Sequence, residues 1–167
     1  MFLDESGCNT DMTRRYAYSL GGSRAVDSTP LSKPKNTTIL SSIQLDGTLR
    51  YTTFSGGTTV ERFKRYLETD LLPHLNGNSI LIMDNMKSHH AKAVKNLLDS
   101  SRIRYIYLPP YSPDLNPIEK LWSKVKAFLR KFKARTLDAL PNAIQNAFHS
   151  VTVSDCSGWF RFCGYAL

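Results

Sequence analysis

A stiff, proline-rich segment constrains the fold of this chain more than any other stretch. Residues 107–119 read Tyr-Leu-Pro-Pro-Tyr-Ser-Pro-Asp-Leu-Asn-Pro-Ile-Glu. The alternating residues of Ile103–Leu108 predict a strand that leads into the segment, and Asn116-Pro117 predicts the start of a helix. Glu119 then lies in the first helical turn. Two interpretations are open: Asn116 and Glu119 form a capping box, or the prolines hold the Glu119 carboxylate in place for chemistry.

The hydrophobic pattern around this segment predicts a mixed α/β fold. Ile80–Met83 is a short apolar run typical of a strand buried on both faces, and a helix from about His90 to Leu98 separates it from the strand at Ile103. A strand–helix–strand unit of this length has parallel strands and a right-handed crossover. Further strands are expected at Phe2-Leu3, Arg14–Leu20, Thr38–Leu45 and Thr48–Phe54, the last two joined by a tight turn at Asp46-Gly47.

Helices are expected to flank this sheet. Thr58–Glu61 has the sequence of a capping box and opens a helix that Pro73 limits. The helix after Pro117 carries an apolar stripe at helical spacing, which predicts a core face made of Ile118, Leu121, Trp122, Val125, Phe128, Leu129 and Phe132. A last helix is expected from Thr136, with Pro141 delaying its start or kinking it.

Length and composition exclude several classes of protein. The 167 residues suffice for one domain with a core, and the apolar (41%) and charged (22%) fractions are typical of soluble globular chains. No apolar run approaches the length of a membrane span, and the first residues lack the pattern of a signal peptide. The three cysteines have no zinc-ligand spacing. We therefore expect a cytoplasmic protein without a membrane partner.

The net charge of +8 is concentrated in one predicted helix. Seven basic residues and no acid lie between Lys120 and Arg135, whereas the rest of the chain carries 15 basic and 14 acidic residues. A local cationic stripe indicates a polyanionic partner, most simply nucleic acid. The alternative is a solvated helix face with no partner, and the charge pattern alone does not separate the two.

Four of the fourteen acids remain candidates for chemistry once those in turns, caps, helix polar faces and loops are set aside: Asp4, Asp84, Asp114 and Glu119. Asp4 and Asp84 each follow a predicted strand, so their carboxylates converge if the strands are neighbours. Asp84 is alternatively an N-cap or a loop anchor. Glu5 is set aside because it alternates away from Asp4. Clustered carboxylates repel one another unless a cation neutralises them, and oxygen ligands suit Mg²⁺ or Mn²⁺.

Three motifs together resemble the catalytic domain of DDE transposases of the mariner-like superfamily, which includes bacterial insertion-sequence members. The first two are Phe2-Leu3-Asp4-Glu5-Ser6-Gly7 and Asp84-Asn85-x-x-x-His89. The third is long and specific: Leu108-Pro109-x-Tyr111-Ser112-Pro113-x-Leu115-Asn116-Pro117-Ile118-Glu119-x-x-Trp122. Thirty-four residues separate Asp84 from Glu119, which is similar to the second spacing of that family.

This resemblance implies a ribonuclease H-like fold with a mixed five-stranded sheet, two Mg²⁺ or Mn²⁺ ions, and cleavage and joining of DNA strands. Asp4, Asp84 and Glu119 match the three metal-binding catalytic acids. Asn85 and His89 match supporting positions, where His89 contacts a DNA phosphate, orients Asp84 or is simply a surface histidine at a helix start. Asp114 is expected to hydrogen-bond the turn backbone. The expected DNA-binding residues are Lys120, Lys124, Lys126, Arg130 and Lys131.

The resemblance also sets expectations for domains and partners. Residues 1–153 correspond to the catalytic domain, residues 154–167 to a tail packed on it, and no segment matches the N-terminal helix-turn-helix modules of complete transposases. Because the chain begins close to Asp4, we expect a shortened central strand and a truncated or split-frame element. The expected partners are transposon-end and target DNA, together with a second copy or a separate DNA-binding portion, associated with the nucleoid if the source is bacterial.

Two other functions are considered. One is a non-catalytic DNA-binding or interaction module descended from a transposase, which would bind DNA through Lys120–Arg135 without cutting it. The other is a ribonuclease H-type or junction nuclease on the same fold, against which the motif at Tyr111–Glu119 argues.

Overall fold

The computed structural model describes residues 1–14, 16–31 and 34–165. Five strands form one mixed sheet in the order β3-β2-β1-β4-β5. The central strand β1 pairs antiparallel with β2 and parallel with β4, and β5 continues the parallel half. This arrangement confirms the expected mixed five-stranded sheet. The strands are β1 Phe2–Cys8, β2 Thr37–Ile43, β3 Leu49–Ser55, β4 Ile80–Met83 and β5 Arg104–Tyr107.

Five helices cover the sheet. The predicted strand–helix–strand unit is β4, α2 and β5, with β4 and β5 parallel. A π-helical turn and a 3₁₀ turn extend α1 through His74, and a 3₁₀ turn at Pro113–Leu115 precedes α3. The helices are α1 Val60–Tyr66, α2 Lys92–Ser101, α3 Ile118–Phe132, α4 Leu140–His149 and α5 Val153–Phe162.

The sheet separates two hydrophobic cores, and β1 contributes to both. Phe2 packs with the buried faces of α3, α4 and α5, whereas Leu3 packs with α1, α2 and Leu40. Successive side chains of a strand point to opposite faces of the sheet. The same alternation sends Asp4 toward Trp122 on α3 and Glu5 toward His89 on the α1 and α2 side.

The central strand is longer than predicted. It runs from Phe2 to Cys8 and pairs with β2 at all seven positions, so Asp4 lies within the strand and not after its end. The prediction that the strand ends at Leu3, with Asp4 after it, is therefore wrong. Glu5, Ser6 and Gly7 are not residues that favour strands, so the sequence does not reveal that β1 continues past Asp4. Backbone pairing with β2 decides their conformation.

The other differences lie in connections and helix starts. The described residues of Arg14–Leu20 form no strand, and Tyr16 and Tyr18 are exposed, because their alternation buries neither face. Helix α1 is capped one residue later than predicted, by the Thr59 hydroxyl, which accepts from the Arg62 N–H. The turn between β2 and β3 spans residues 44–48 and is longer than a two-residue hairpin.

The start of the fourth helix fits the expected effect of Pro141, since α4 begins at Leu140 and not at Thr136. Most of the predicted tail, residues 154–162, lies in α5, and residues 166–167 lie outside the described part of the chain. The Phe160 ring packs edge-on against Phe2 with centroids 5.4 Å apart. The three cysteines are buried and unpaired. No helix in the described part of the chain is long and apolar enough to cross a membrane.

Candidate active site

The candidate site lies at the carboxyl end of β4, beside the middle of its parallel neighbour β1. Leu3 is in register with Met83, so Asp4 and Asp84 are the next residues on two neighbouring strands. Glu119 approaches from the first turn of α3. All three carboxylates line one cavity of about 380 Å³, whose other walls are Asn85, Met86, Asn116 and the turn at residues 108–113.

Asp4 is the buried member of the three, with 7% of its surface exposed. Its Oδ2 accepts a hydrogen bond of 3.0 Å from the Trp122 indole N–H, and its Oδ1 accepts one of 2.7 Å from the Glu5 N–H. Burial raises the pKa of the Asp4 carboxyl to about 7, although these hydrogen bonds lower it, and the charges of Glu5 and Asp84 add to the rise. A carboxyl in this position would favour a nearby cation.

Asp84 has different surroundings. Its Oδ1 lies 2.8 Å from His89 Nδ1 and accepts a hydrogen bond of 3.1 Å from the Met86 N–H. Partial burial opposes ionisation of Asp84, but the hydrogen bond and charge of His89 outweigh it, so the pKa of this carboxyl is lowered. Asp84 is therefore ionised at mildly acidic pH, where Asp4 is still largely protonated.

His89 is fully buried and contacts a carboxylate at each ring nitrogen. Its Nε2 lies 3.2 Å from Glu5 Oε1, and its ring stacks on Phe63 with centroids 4.2 Å apart. Burial works against the charged ring, but the hydrogen bonds and charges of Asp84 and Glu5 raise the pKa of His89 to about 10. Both nitrogens are therefore protonated and both donate.

Glu119 is exposed, and its helix begins without the predicted capping box. The residue at the N-cap is Pro117, with no side-chain capping bond, and Asn116 is buried with its Oδ1 unpaired among the described residues. The Glu119 N–H instead donates to the Asn116 carbonyl at 3.1 Å. The Glu119 carboxylate thus faces the cavity without a structural task at the helix start.

The three predicted supporting residues differ in their burial and in their contacts with the cavity. Asn85 lines the cavity and its Oδ1 contacts His90 Nε2. His89 is not the surface histidine considered above, because it is buried against Phe63. Asp114 is exposed in the 3₁₀ turn, and within the described residues its side chain makes none of the expected hydrogen bonds to the turn backbone.

The basic stripe of α3 is partly used inside the molecule. Lys124 forms an ion pair with Asp155 at the start of α5, and Lys120 lies over the Phe162 ring, 3.8 Å from its centroid. Lys126 and Arg130 line a second cavity beside the end of β1. Lys131 is exposed. The five expected DNA-binding residues are therefore not equally free to meet a polyanion.

Two site residues escaped the sequence argument. The sequence predicts no site role for Glu5 because it alternates away from Asp4, yet that same alternation brings its side chain to His89. Trp122 is expected in the core face of α3 and ends the third motif, but no site role is predicted for it, although its spacing of three residues from Glu119 puts both on one side of α3. The helical spacing is a signal visible in the sequence, whereas the contact between Glu5 and His89 joins residues 84 positions apart.

The donor set fits a divalent metal ion. Asp4, Asp84 and Glu119 offer only carboxylate oxygens, which Mg²⁺ and Mn²⁺ prefer. The burial of Asp4 beside the charged Asp84 leaves an electrostatic cost that a cation would remove. Glu5, Asp84 and His89 form a second cluster whose ligand atoms lie within 4.8 Å of one another. In that cluster the ring nitrogens of His89 already donate to both carboxylates.

Comparisons with known proteins agree with this arrangement. The profile of the DDE superfamily endonuclease family matches residues 1–141. The chain is 27% identical to the Tc1 transposase of Caenorhabditis elegans over 97 residues, which are 56% of this chain and 36% of that protein. The matched chain therefore spans about a third of this curated relative.

Two solved structures share the fold. The Mos1 transposase in its paired-end complex with the left transposon end superimposes with a TM-score of 0.79 at 18% identity, covering 96% of this chain and 50% of that one. The Mos1 mariner paired-end complex with Mn also gives 0.79, at 20% identity, and covers 96% and 51%. The expected ribonuclease H-like catalytic fold is thereby confirmed. With its profile match, its fold and its three acids lining one cavity, the chain belongs to the DDE superfamily endonuclease family.

Proposed function

We propose that this chain is the catalytic domain of a DNA transposase, which cleaves and joins DNA strands with the help of divalent metal ions. The observation that carries the proposal is the convergence of Asp4, Asp84 and Glu119 on one cavity beside β1 and the carboxyl end of β4. Family membership, the similarity to the Tc1 transposase and the fold shared with a transposase complex that contains Mn support it.

The three acids are assigned to two ions, Mg²⁺ or Mn²⁺. When bound, such a pair activates a water or a 3′-hydroxyl and stabilises the leaving oxygen of a phosphodiester. The protein's part is to hold the carboxylates. Trp122 fixes one oxygen of Asp4, His89 fixes one oxygen of Asp84, and the helix start after Pro117 carries Glu119.

The DNA partner is assigned to the basic face of α3. Lys126, Arg130 and Lys131 are the best candidates for phosphate contacts, because Lys124 is paired with Asp155 and Lys120 covers Phe162. Phosphate contacts of this kind weaken as salt rises.

The proposal extends to assembly. Residues 1–153 form the catalytic domain, and the segment from 154 onward braces it through the contact of Phe160 with Phe2. Recognition of transposon ends is assigned to a second copy of the chain or to a separate DNA-binding portion, in line with the paired-end complexes formed by the Mos1 relatives.

The decisive experiment measures nicking of supercoiled plasmid DNA in Mg²⁺ or Mn²⁺. Glu119→Gln is the cleanest variant, because the side chain is exposed and makes no capping bond, so folding should not change. We expect it to reduce the nicking rate more than 100-fold. Substituting a residue that only hydrogen-bonds a metal ligand already lowers activity or metal affinity about 10–100-fold, and Glu119 is proposed as a ligand itself. Asp84→Ala should reduce the rate at least as much.

Thermal unfolding of each variant without metal is the control, and Glu119→Gln should match the wild type within about 0.5 kcal/mol, as surface substitutions usually do. Nicking that survives both substitutions would overturn the assignment of the site. Salt-dependent DNA binding with no nicking by the wild type would favour the non-catalytic module instead.

A further inference from the structure

The central strand presents a second acid on the face opposite Asp4. Glu5 follows Asp4 in β1, and its side chain is 7% exposed. Its Oε1 meets His89 Nε2 at 3.2 Å, while its Oε2 is buried without a hydrogen-bond partner in the described residues. A buried carboxylate with one unsatisfied oxygen is costly, so this position calls for an explanation beyond packing.

The explanation lies in what His89 does with its other nitrogen. Nδ1 points to Asp84 Oδ1 at 2.8 Å and also lies 3.3 Å from the Asp84 carbonyl oxygen. The ring is fixed by stacking on Phe63, and the Tyr107 hydroxyl donates to the His89 carbonyl at 2.9 Å. Glu5, His89 and Asp84 thus form one continuous chain of contacts that ends at the cavity.

The chain of contacts also determines which oxygen of Asp84 is free. Oδ1 accepts from His89 and from the Met86 N–H. Within the described residues Oδ2 has no such donor, and Asp84 lines the cavity with Asp4 and Glu119. An orientation of this kind offers a single oxygen to a ligand in the cavity.

We propose that Glu5 is a positioning residue for the metal-binding carboxylate of Asp84 and acts through His89. This inference rests on the proposed function, because it takes Asp84 to be a metal ligand. Glu5 keeps the imidazole turned so that Nδ1 donates to Oδ1 and Oδ2 remains available. One strand therefore supplies both a ligand, Asp4, and the support of its neighbouring ligand.

A different interpretation uses the same atoms. Glu5, Asp84 and His89 are close enough together to ligate one ion directly. The two interpretations predict different results when Glu5 is removed. Loss of a positioning residue weakens metal binding without changing the number of ions, whereas loss of a ligand removes an ion.

The test is Mn²⁺ binding by isothermal titration calorimetry to the metal-free protein, with Glu5→Leu and Glu5→Gln compared. Leu removes the acceptor for His89 Nε2, and we expect the Kd for Mn²⁺ to rise about 10–100-fold with unchanged stoichiometry. Gln retains an oxygen that accepts from Nε2, so it should recover much of the affinity. The Mn²⁺ concentration for half-maximal nicking should shift in parallel.

Val94→Ala is the matched control. Val94 is buried in the hydrophobic core on the same side of the sheet as Glu5. Its apolar side chain forms no hydrogen bond with Glu5, His89 or Asp84, and it does not line the cavity. It should lower stability while leaving the Kd for Mn²⁺ unchanged, which separates positioning from general destabilisation.

Three results would overturn the inference. An unchanged Kd in Glu5→Leu, alongside a wild type that binds Mn²⁺ and nicks DNA, would make Glu5 purely structural and leave the proposed function intact. Loss of one bound Mn²⁺ ion in Glu5→Leu, with an unchanged Kd for the remaining Mn²⁺, would show that Glu5 is a metal ligand. A wild type that binds no Mn²⁺ would overturn the proposed function and this inference together.

Discussion

Asp4 and Asp84 are neighbours on adjacent strands, yet the protein treats their charges in opposite ways. Asp4 is buried beside neutral hydrogen-bond donors, and burial raises its pKa to about 7. Asp84 faces the charged ring of His89, which lowers its pKa although it is partly buried. A hydrogen bond therefore does not replace a counter-charge: the indole of Trp122 orients Asp4, but only a cation would make the charge of Asp4 favourable there.

The largest expected effect is on the pH dependence of stability in EDTA. The pKa of Asp4 is raised from 3.8 to about 7, so its contribution to the free energy of unfolding falls as pH rises from 4 to 7, by up to about 4 kcal/mol. The pKa of His89 is raised from 6.5 to about 10, so its contribution is full below pH 6.5 and is lost as pH rises through 10. Asp84 acts oppositely, because its lowered pKa removes stability only as pH falls below about 3.8.

Urea unfolding in EDTA at pH 4, 7 and 9 checks this profile. Stability should be highest near pH 4, and saturating Mg²⁺ in place of EDTA should restore more stability at pH 8 than at pH 4. A flat profile between pH 4 and 7 would mean that Asp4 is better solvated than its burial indicates.

The next effect concerns the sign of one substitution made at both positions. At pH 8 in EDTA, Asp4→Asn should raise the free energy of unfolding by up to about 4 kcal/mol, because it removes a buried charge. Asp84→Asn should lower the free energy of unfolding by about 1 kcal/mol, because it removes the charged partner of the His89 ring. The loss is small because the Asp84 side chain is 36% exposed, so solvent screens the pair. Denaturant titration of both variants measures the difference, and changes of the same sign would contradict the comparison.

The smallest effect tests the support of Asp4. Trp122→Phe keeps an aromatic ring but removes the N–H that donates to Oδ2. At pH 8, where Asp4 is charged, we expect a loss of about 1–3 kcal/mol, and at pH 5 a smaller one, because a charged acceptor loses more than a neutral one. Equal losses at both pH values would assign the whole effect to packing.

Much of the parallel half of the sheet could be predicted from the sequence. The apolar run at Ile80–Met83 and the stripe of α3 bury side chains locally, so their periodicity reveals them. The resemblance placed Asp4, Asp84 and Glu119 together, and the shared cavity is where the structure brings them. These features depend on patterns within one element or on a long motif.

What could not be predicted depends on partners distant in the chain. The length of β1 is decided by pairing with β2 and not by its own polar residues. The α1 cap is Thr59 and not Thr58, a choice between two adjacent hydroxyls that the local sequence does not distinguish. The role of Glu5 requires His89, and no local pattern joins them.

The two faces of β1 also bear on how sequences of this kind can vary in length. Because adjacent residues of a strand face opposite sides, inserting or deleting one residue between Phe2 and Asp4 would exchange the places of Asp4 and Glu5. The described residues of the connection from β1 to β2 form no strand, and residues such as Tyr16 and Tyr18 are exposed, so this alternation does not constrain them. Natural relatives should therefore tolerate gaps in that connection and none at the start of the central strand.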